Sequence, residues 1–163
     1  MKVMVAYMSL TGNTKKVAEA IFDEIQEEKE IKELGEVQTL DGYDLAFVGF
    51  PIHREGPPDN VKSFLERHAK DKKLALFITH AMPPGLEMLE EVLTKCKDLA
   101  VEADLLDTFD CQGELDDAIA QKLLKSPDPK MQMFGTMRAL NHPDDTDIEN
   151  AKVFASDIME KME

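Results

Sequence analysis

The sequence has few cysteines and no long apolar segment. Cys96 and Cys111 are the only cysteines among 163 residues, and they have neither metal-ligand nor C-x-x-C spacing. No apolar run approaches the roughly 20 residues that a membrane-spanning helix needs. The N-terminal apolar segment is too short for a signal peptide. We therefore expect a reducing, cytoplasmic environment, no metal site and no membrane association.

Positive charge is also scarce. The chain has 19 Lys and Arg residues against 33 Asp and Glu residues, which gives a formal net charge of −14. A field of this sign repels phosphate backbones and anionic lipid headgroups, so nucleic acids and membranes are poor partners. A protein with a basic face is a better candidate partner. The length fits one domain over residues 1–163, and 43% hydrophobic residues suffice for a core.

Short apolar runs alternate with helical patterns along the chain. Continuous runs, typical of central parallel strands, occur at residues 3–8, 45–50 and 74–78. Half-polar runs at 35–40 and 101–110 predict two more strands, the second at a sheet edge. Helical spacing of apolar residues occurs at 17–25, 61–65, 86–96, 115–123 and 148–162. Capping residues predict the starts of two of these helices, at Asp59 and Asn60 for the second and at residues 143–146 for the last.

This alternation predicts the fold class. Repeated strand–helix units favour an α/β protein with a doubly wound, five-stranded parallel sheet and helices on both faces. Ligands bind such sheets outside the carboxyl ends of the strands. Residues 126–142 fit this pattern poorly, and we expect a loop with a short helix that covers the sheet edge.

Hydroxyl groups surround a glycine directly after the first predicted strand, in the segment Ser9-Leu10-Thr11-Gly12-Asn13-Thr14. Backbone N–H groups at a helix N-terminus form an anion site, and serine and threonine add neutral donors. Gly12 allows close approach of the backbone to a ligand. The segment therefore predicts a phosphate monoester site. The alternative, a helix capped by Asn13 or Thr14, explains those two residues alone.

The motifs of other phosphate sites are absent. G-x-x-x-x-G-K-[ST] and G-x-G-x-x-G do not occur, which argues against a P-loop nucleotidase and a dinucleotide site. A phospho-acceptor signalling domain would need acidic residues after the first and third strands, where Ser9 and Pro51 stand.

The segment from Ser9 to Thr14 resembles the [ST]-x-T-G-N-T phosphate loop of flavodoxins. The resemblance covers nearly the whole chain in strand order, length and acidity. It implies a sheet order of 2-1-3-4-5 and FMN as the cofactor. By this resemblance the FMN phosphate binds at Ser9, Leu10, Thr11, Gly12, Asn13 and Thr14.

Two later loops at the same sheet edge match the ring-flanking loops of flavodoxins in position. They supply the ring-contact candidates Pro51, Ile52, His53 and Arg54, and then Thr79, His80, Ala81, Met82 and Gly85. The chain has no Trp, and Tyr7 and Tyr43 lie elsewhere. Aromatic stacking contributes about 0.5–1.5 kcal/mol beyond burial, so we expect modest FMN affinity.

Several of these candidates have two interpretations. His53 or His80 near a flavin could couple electron transfer to a proton, but a loop histidine with one hydrogen bond is the favoured alternative. Arg54 could compensate a reduced flavin or be a solvated charge. Cys111, Gln112 and Gly113 follow the fifth strand, and they are either contacts for the ribityl chain or a simple strand-to-helix turn. We expect Cys96 to lie in the core.

The favoured function is an FMN-binding electron carrier that docks a redox protein with a basic face, with no residue acting as acid, base or nucleophile. We expect a monomer. One alternative is an FMN-dependent reductase that uses NAD(P)H and a quinone-type acceptor. The other is an accessory module that uses the fold without tightly bound flavin.

Overall fold

The computed structural model describes residues 1–163 and contains a parallel sheet of five strands. The strands are β1 (Lys2–Tyr7), β2 (Glu28–Glu33), β3 (Leu45–Pro51), β4 (Lys73–His80) and β5 (Asp104–Gln112). They are hydrogen-bonded in the order β2-β1-β3-β4-β5, which confirms the predicted doubly wound sheet. The helices are α1 (Asn13–Glu24), α2 (Asp59–His68), α3 (Glu87–Asp98), α4 (Asp117–Leu124), α5 (Pro129–Thr136) and α6 (Asp145–Lys161). None of them is long and apolar enough to cross a membrane.

The central strands are buried on both faces, as their continuous apolar runs predict. Successive side chains of a strand point to opposite faces. Val48 and Leu76 therefore belong to the core cluster that contains α2 and α3 residues. Phe47 and Phe77 belong to the second cluster, with residues of α1 and α6. Cys96 is fully buried in the first cluster, as expected.

The second strand was predicted in the wrong place. It spans Glu28–Glu33 rather than residues 35–40, and it lies within an acid-rich stretch. Charges suit this strand because it is an edge, and Glu30 pairs with both Lys2 and Lys32. The apolar side chains of 34–40 are spaced three apart, and they pack on the core from a short 3₁₀ helix (Leu34–Glu36) and the loop after it.

The two predicted helix starts differ in outcome. Asp144 caps α6 through a capping box, in which its side chain accepts from the Asp147 backbone N–H at 2.9 Å and the Asp147 carboxylate accepts from the Asp144 N–H at 2.9 Å. Asp59 does not cap α2, because it is already the first helical residue after Pro58 and no side-chain cap is formed.

Residues 126–142 contain the short helix α5, but this helix packs on α4 instead of covering the sheet edge. Gly135 allows the approach, since a Cβ there would lie 3.0 Å from the Ala120 carbonyl oxygen. Lys130 of α5 forms an ion pair with Glu55 in the loop after β3. The α4–α5 pair therefore reaches from the end of β5 toward the loop after β3.

Candidate functional site

A cleft lies at the carboxyl edge of the sheet, where the loops after four strands meet. The segment after β1 contributes Ser9, Leu10, Thr11, Asn13 and Thr14. The ends of β3 and β4 contribute Pro51, Ile52, Thr79, His80 and Ala81. The segment after β5 contributes Gly113, Glu114, Leu115, Asp116 and Ile119. The lining contains no lysine or arginine, so a bound anion must be held by neutral donors.

The segment after β1 presents backbone N–H groups to this cleft. Gly12 precedes α1 in the left-handed conformation at φ 97°, which favours glycine. Ser9 Oγ accepts from the N–H groups of Gly12 at 3.1 Å and Lys15 at 3.3 Å. The N–H groups of Leu10, Thr11, Asn13 and Thr14 also have no acceptor within the chain. Such a set of free donors at a helix N-terminus fits a phosphate group.

The competing explanation of this segment as an ordinary side-chain helix cap does not hold. The residue before α1 is Gly12, which offers no side-chain cap, and neither Asn13 nor Thr14 caps the helix. Thr14 instead lies inside the first turn, buried, with its hydroxyl 2.8 Å from the Thr79 hydroxyl of β4. In such a pair one hydroxyl donates and the other retains its proton. Thr14 and Thr79 thus tie the segment to β4 and leave one O–H free to donate.

Asn13 connects the segment after β1 to the segment after β5. Its Nδ2 donates to the Glu114 carbonyl oxygen at 2.9 Å. A Cβ on Gly113 would lie 2.8 Å from Asn13 Nδ2 and 3.0 Å from Asn13 Cβ. Glycine is therefore required at residue 113 by contact with a side chain 100 positions away, rather than by a tight turn alone.

We expect Gly113→Ala to destabilise the protein by about 1–2 kcal/mol, because the new methyl group overlaps Asn13. Asn13→Ala removes Nδ2 and Cγ, two of the three atoms that would crowd the new methyl group, so it should cost less in the Gly113→Ala background than in the wild type. Urea unfolding of the four proteins of this double-mutant cycle measures the coupling. If the two substitutions change the free energy of unfolding additively, the contact between residues 13 and 113 is contradicted.

His80 ends β4 inside the cleft with its ring almost completely buried. The side chain is 1% exposed, and Nε2 lies 2.8 Å from Asp110 Oδ2 on β5. An ionised carboxylate only accepts hydrogen bonds, so Nε2 donates to it. The other ring nitrogen, Nδ1, is buried and has no hydrogen-bond partner. The favoured loop-histidine interpretation predicts the single hydrogen bond but not the burial.

A family model described as a flavodoxin domain matches residues 4–156 of the chain. The chain belongs to the flavodoxin family. The flavodoxin-like domain-containing protein BilS of Clostridioides difficile is 36% identical, over 99% of this chain and 98% of that protein. The predicted sheet order and the resemblance drawn from residues 9–14 are thereby confirmed.

Solved flavodoxin structures have the same fold. Oxidised flavodoxin 2 from Bacillus cereus superposes with a TM-score of 0.64 at 21% identity, over 99% of each chain. A flavoprotein from Lactobacillus acidophilus in complex with FMN has a TM-score of 0.54 at 22% identity. This second match covers 74% of this chain and 97% of that one.

Two predicted ring contacts of this flavodoxin lie outside the cleft. His53 and Arg54 belong to a tight turn in which His53 and Gly56 exchange backbone hydrogen bonds of 2.8 and 3.2 Å. Arg54 and Glu55 both have positive φ, at 49° and 65°. This turn directs His53 and Arg54 into a second, charged hollow that Lys62 and Lys95 also line. Their contact with the cleft occupant stays a prediction.

Four other predicted contacts do not line the cleft either. Met82 is 6% exposed and packs in the α2–α3 core cluster, while Cys111 packs in the opposite cluster. Gly85 has a positive φ of 88° and serves the loop before α3. Gln112 ends β5 without reaching the lining. Gly12 shapes the segment after β1 but is also not among the lining residues.

The burial of both cysteines makes them poor nucleophiles. Burial raises the pKa of Cys96 to about 12. Burial, with the carboxylates of Asp147, Asp110 and Asp144, raises the pKa of Cys111 to about 12. Both thiols therefore stay protonated at neutral pH.

We expect neither thiol to react with a chromogenic disulfide reagent in the native protein between pH 7 and 9, because thiolate is the reactive form. Both should react after unfolding in guanidinium chloride. Counting released chromophore per chain measures this. Rapid labelling of one thiol in the folded protein would contradict the burial of that residue.

Four cleft residues were missed in the sequence, namely Glu114, Leu115, Asp116 and Ile119. A signal for them existed, since Asp116 is an N-cap residue that accepts from the N–H groups of Ala118 and Ile119. This cap turns α4 so that its first residues face the cleft. Recognising Asp116 as a helix start would have extended the candidate segment beyond Gly113.

Proposed function

We propose that this flavodoxin binds FMN in the cleft and passes electrons between redox partners. The observation that carries the proposal is the set of free backbone N–H groups beside the Ser9, Thr11 and Thr14 hydroxyls. FMN ends in a phosphate monoester, and these donors match its oxygens without adding a cation. Family membership supports a flavin-binding electron-transfer role in general. Bound FMN would supply the redox chemistry, whereas the chain binds and orients it.

The walls of the cleft suit a planar, partly apolar ring. Ile52 and Ala81 come from the ends of β3 and β4, and Leu115 and Ile119 come from the segment that begins after β5. No aromatic side chain is among the lining residues. The ring would therefore pack against aliphatic groups and lose stacking energy of about 0.5–1.5 kcal/mol. This supports the expectation of modest FMN affinity.

We further propose that the partner is a redox protein with a basic face. The net charge of −14 and the acidic residues Glu114, Asp116 and Asp117 beside the cleft support this. Attraction between opposite charges speeds encounter and weakens as salt rises. The same charge argues against nucleic acid and anionic membranes as partners. We propose that the carrier acts as a monomer in the cytoplasm.

Stepwise anaerobic reduction of the FMN-loaded protein, followed by its visible spectrum, tests the electron-carrier role. An electron carrier is expected to accept two separately resolved electrons and to oxidise NADPH no faster than free FMN does. Steady NADPH oxidation with a quinone acceptor would replace this proposal by a reductase. If micromolar FMN does not bind, the fold serves as an accessory module.

A further inference from the structure

His80 is the only residue lining the cleft whose side chain can carry a positive charge. The lining has no lysine or arginine, and its two acidic residues are Glu114 and Asp116. We propose that His80, positioned by Asp110, takes up one proton when an electron enters the cleft. This inference rests on the proposed function, since it requires a redox group there.

The geometry leaves one ring nitrogen available for that proton. Because Asp110 accepts from Nε2–H, the neutral ring has its lone pair on Nδ1. Nδ1 is buried and unpartnered, so no donor within the chain competes for this lone pair. Asp110 is 37% exposed at its side chain, and its carboxylate accepts from the ring. Asp110 is therefore a positioning residue that also stabilises an imidazolium.

The charges around the ring favour its protonation once the cleft becomes more negative. Asp110 on β5 contacts the ring, and Glu114 and Asp116 face the same cleft from the segment after β5. The segment after β1 and the end of β3 contribute no charged side chain to the lining. An added electron favours a protonated ring, because it is an extra negative charge in a site of low dielectric constant.

The step balances in charge and atoms. One electron passes from the reduced redox partner, which is oxidised, to the redox group in the cleft, which is reduced, and one proton comes from solvent. The bond that forms is N–H at Nδ1 of His80, and no bond between heavy atoms breaks. The net charge of the loaded cleft is therefore the same before and after the step.

The test is an NMR pH titration of the His80 ring in the FMN-loaded protein, before and after complete reduction by dithionite. We expect reduction to raise the titration midpoint of His80 by at least one pH unit, a tenfold change in its proton affinity. His53, outside the cleft, is the internal control and should shift far less. Asp110→Asn keeps an acceptor but removes the charge, and it should lower the reduced-state midpoint of His80 by about one pH unit.

A second readout is proton uptake from weakly buffered solution during reduction. His80→Gln should take up fewer protons per electron than the wild type near neutral pH, whereas His53→Gln should match it. FMN binding is measured first, by fluorescence, and it tests the proposed cofactor. If FMN binds but the titration midpoint of His80 does not change on reduction, this inference is overturned and the proposed FMN site stands. Absence of FMN binding would overturn both proposals. The titration of His80 uses the wild-type protein, so it tests the inference even if the His80→Gln protein fails to fold.

Discussion

Replacing Gly49 by alanine is expected to lower the free energy of unfolding by about 3 kcal/mol. Gly49 of β3 lies beside Phe77 of β4, and the Phe77 ring covers the place where a side chain would stand. A Cβ at residue 49 would lie 1.9 Å from Phe77 Cε2 and 2.1 Å from Cζ. Phe77 is 0% exposed, so its ring has no free space into which to move. Equilibrium unfolding in urea measures the loss.

Gly35→Ala is the matched control for this substitution. Its new Cβ would meet no atom within 4 Å, and its φ is not positive, so we expect a change below about 0.5 kcal/mol. Phe77→Leu should cost less in the Gly49→Ala protein than in the wild type, because it removes Cε2 and Cζ, the two ring atoms closest to the new Cβ. Equal stability of Gly49→Ala and Gly35→Ala would show that the sheet tolerates a methyl group under Phe77.

Ser9→Asp is expected to weaken FMN binding by about 100-fold or more. Its carboxylate would occupy the position of a hydroxyl that already accepts from the Gly12 and Lys15 N–H groups. Like charges about 4 Å apart cost on the order of 4 kcal/mol near a protein surface. The unliganded protein should keep its stability, since an anion at a helix N-terminus is favourable. FMN fluorescence titration gives the dissociation constants, and urea unfolding gives the stability.

The control for charge alone is Thr39→Asp. Thr39 also accepts a local backbone hydrogen bond, from the Asp41 N–H at 3.0 Å, and it precedes β3 at the opposite edge of the sheet. This variant carries the same added charge but should bind FMN within about twofold of the wild type. Comparable weakening by both variants would attribute the effect to net charge and would remove the phosphate from the Ser9 segment.

The fold could be predicted largely because its central strands are unusual in the sequence. β1, β3 and β4 are continuously apolar, which only strands buried on both faces require. β2 was misplaced because an edge strand is stabilised by backbone hydrogen bonds and Lys–Glu pairs that leave no apolar run. The α4–α5 contact was missed because it depends on Gly135, whose role appears only when two helices meet.

The candidate site also has a part that the sequence predicts and a part that depends on long-range contacts. Residues 9–14 were identified because their hydroxyls, glycine and position relative to β1 are all local features. The turn that holds His53 and Arg54 was not anticipated, because two positive φ angles at non-glycine residues have no simple sequence signal. The pairing of His80 with Asp110, 30 residues apart, follows from the register of β4 and β5. Such long-range contacts are set by packing, and no spacing rule predicts them.

Backbone amide NMR of the ¹⁵N-labelled protein during FMN titration tests the central claim most directly. We expect the largest shifts at the amides of Leu10, Thr11, Asn13 and Thr14, because the phosphate gives these free donors their acceptor. Inorganic phosphate at higher concentration should shift the same four amides. FMN binding that leaves these amides unchanged, or no binding at micromolar concentration, would contradict the account.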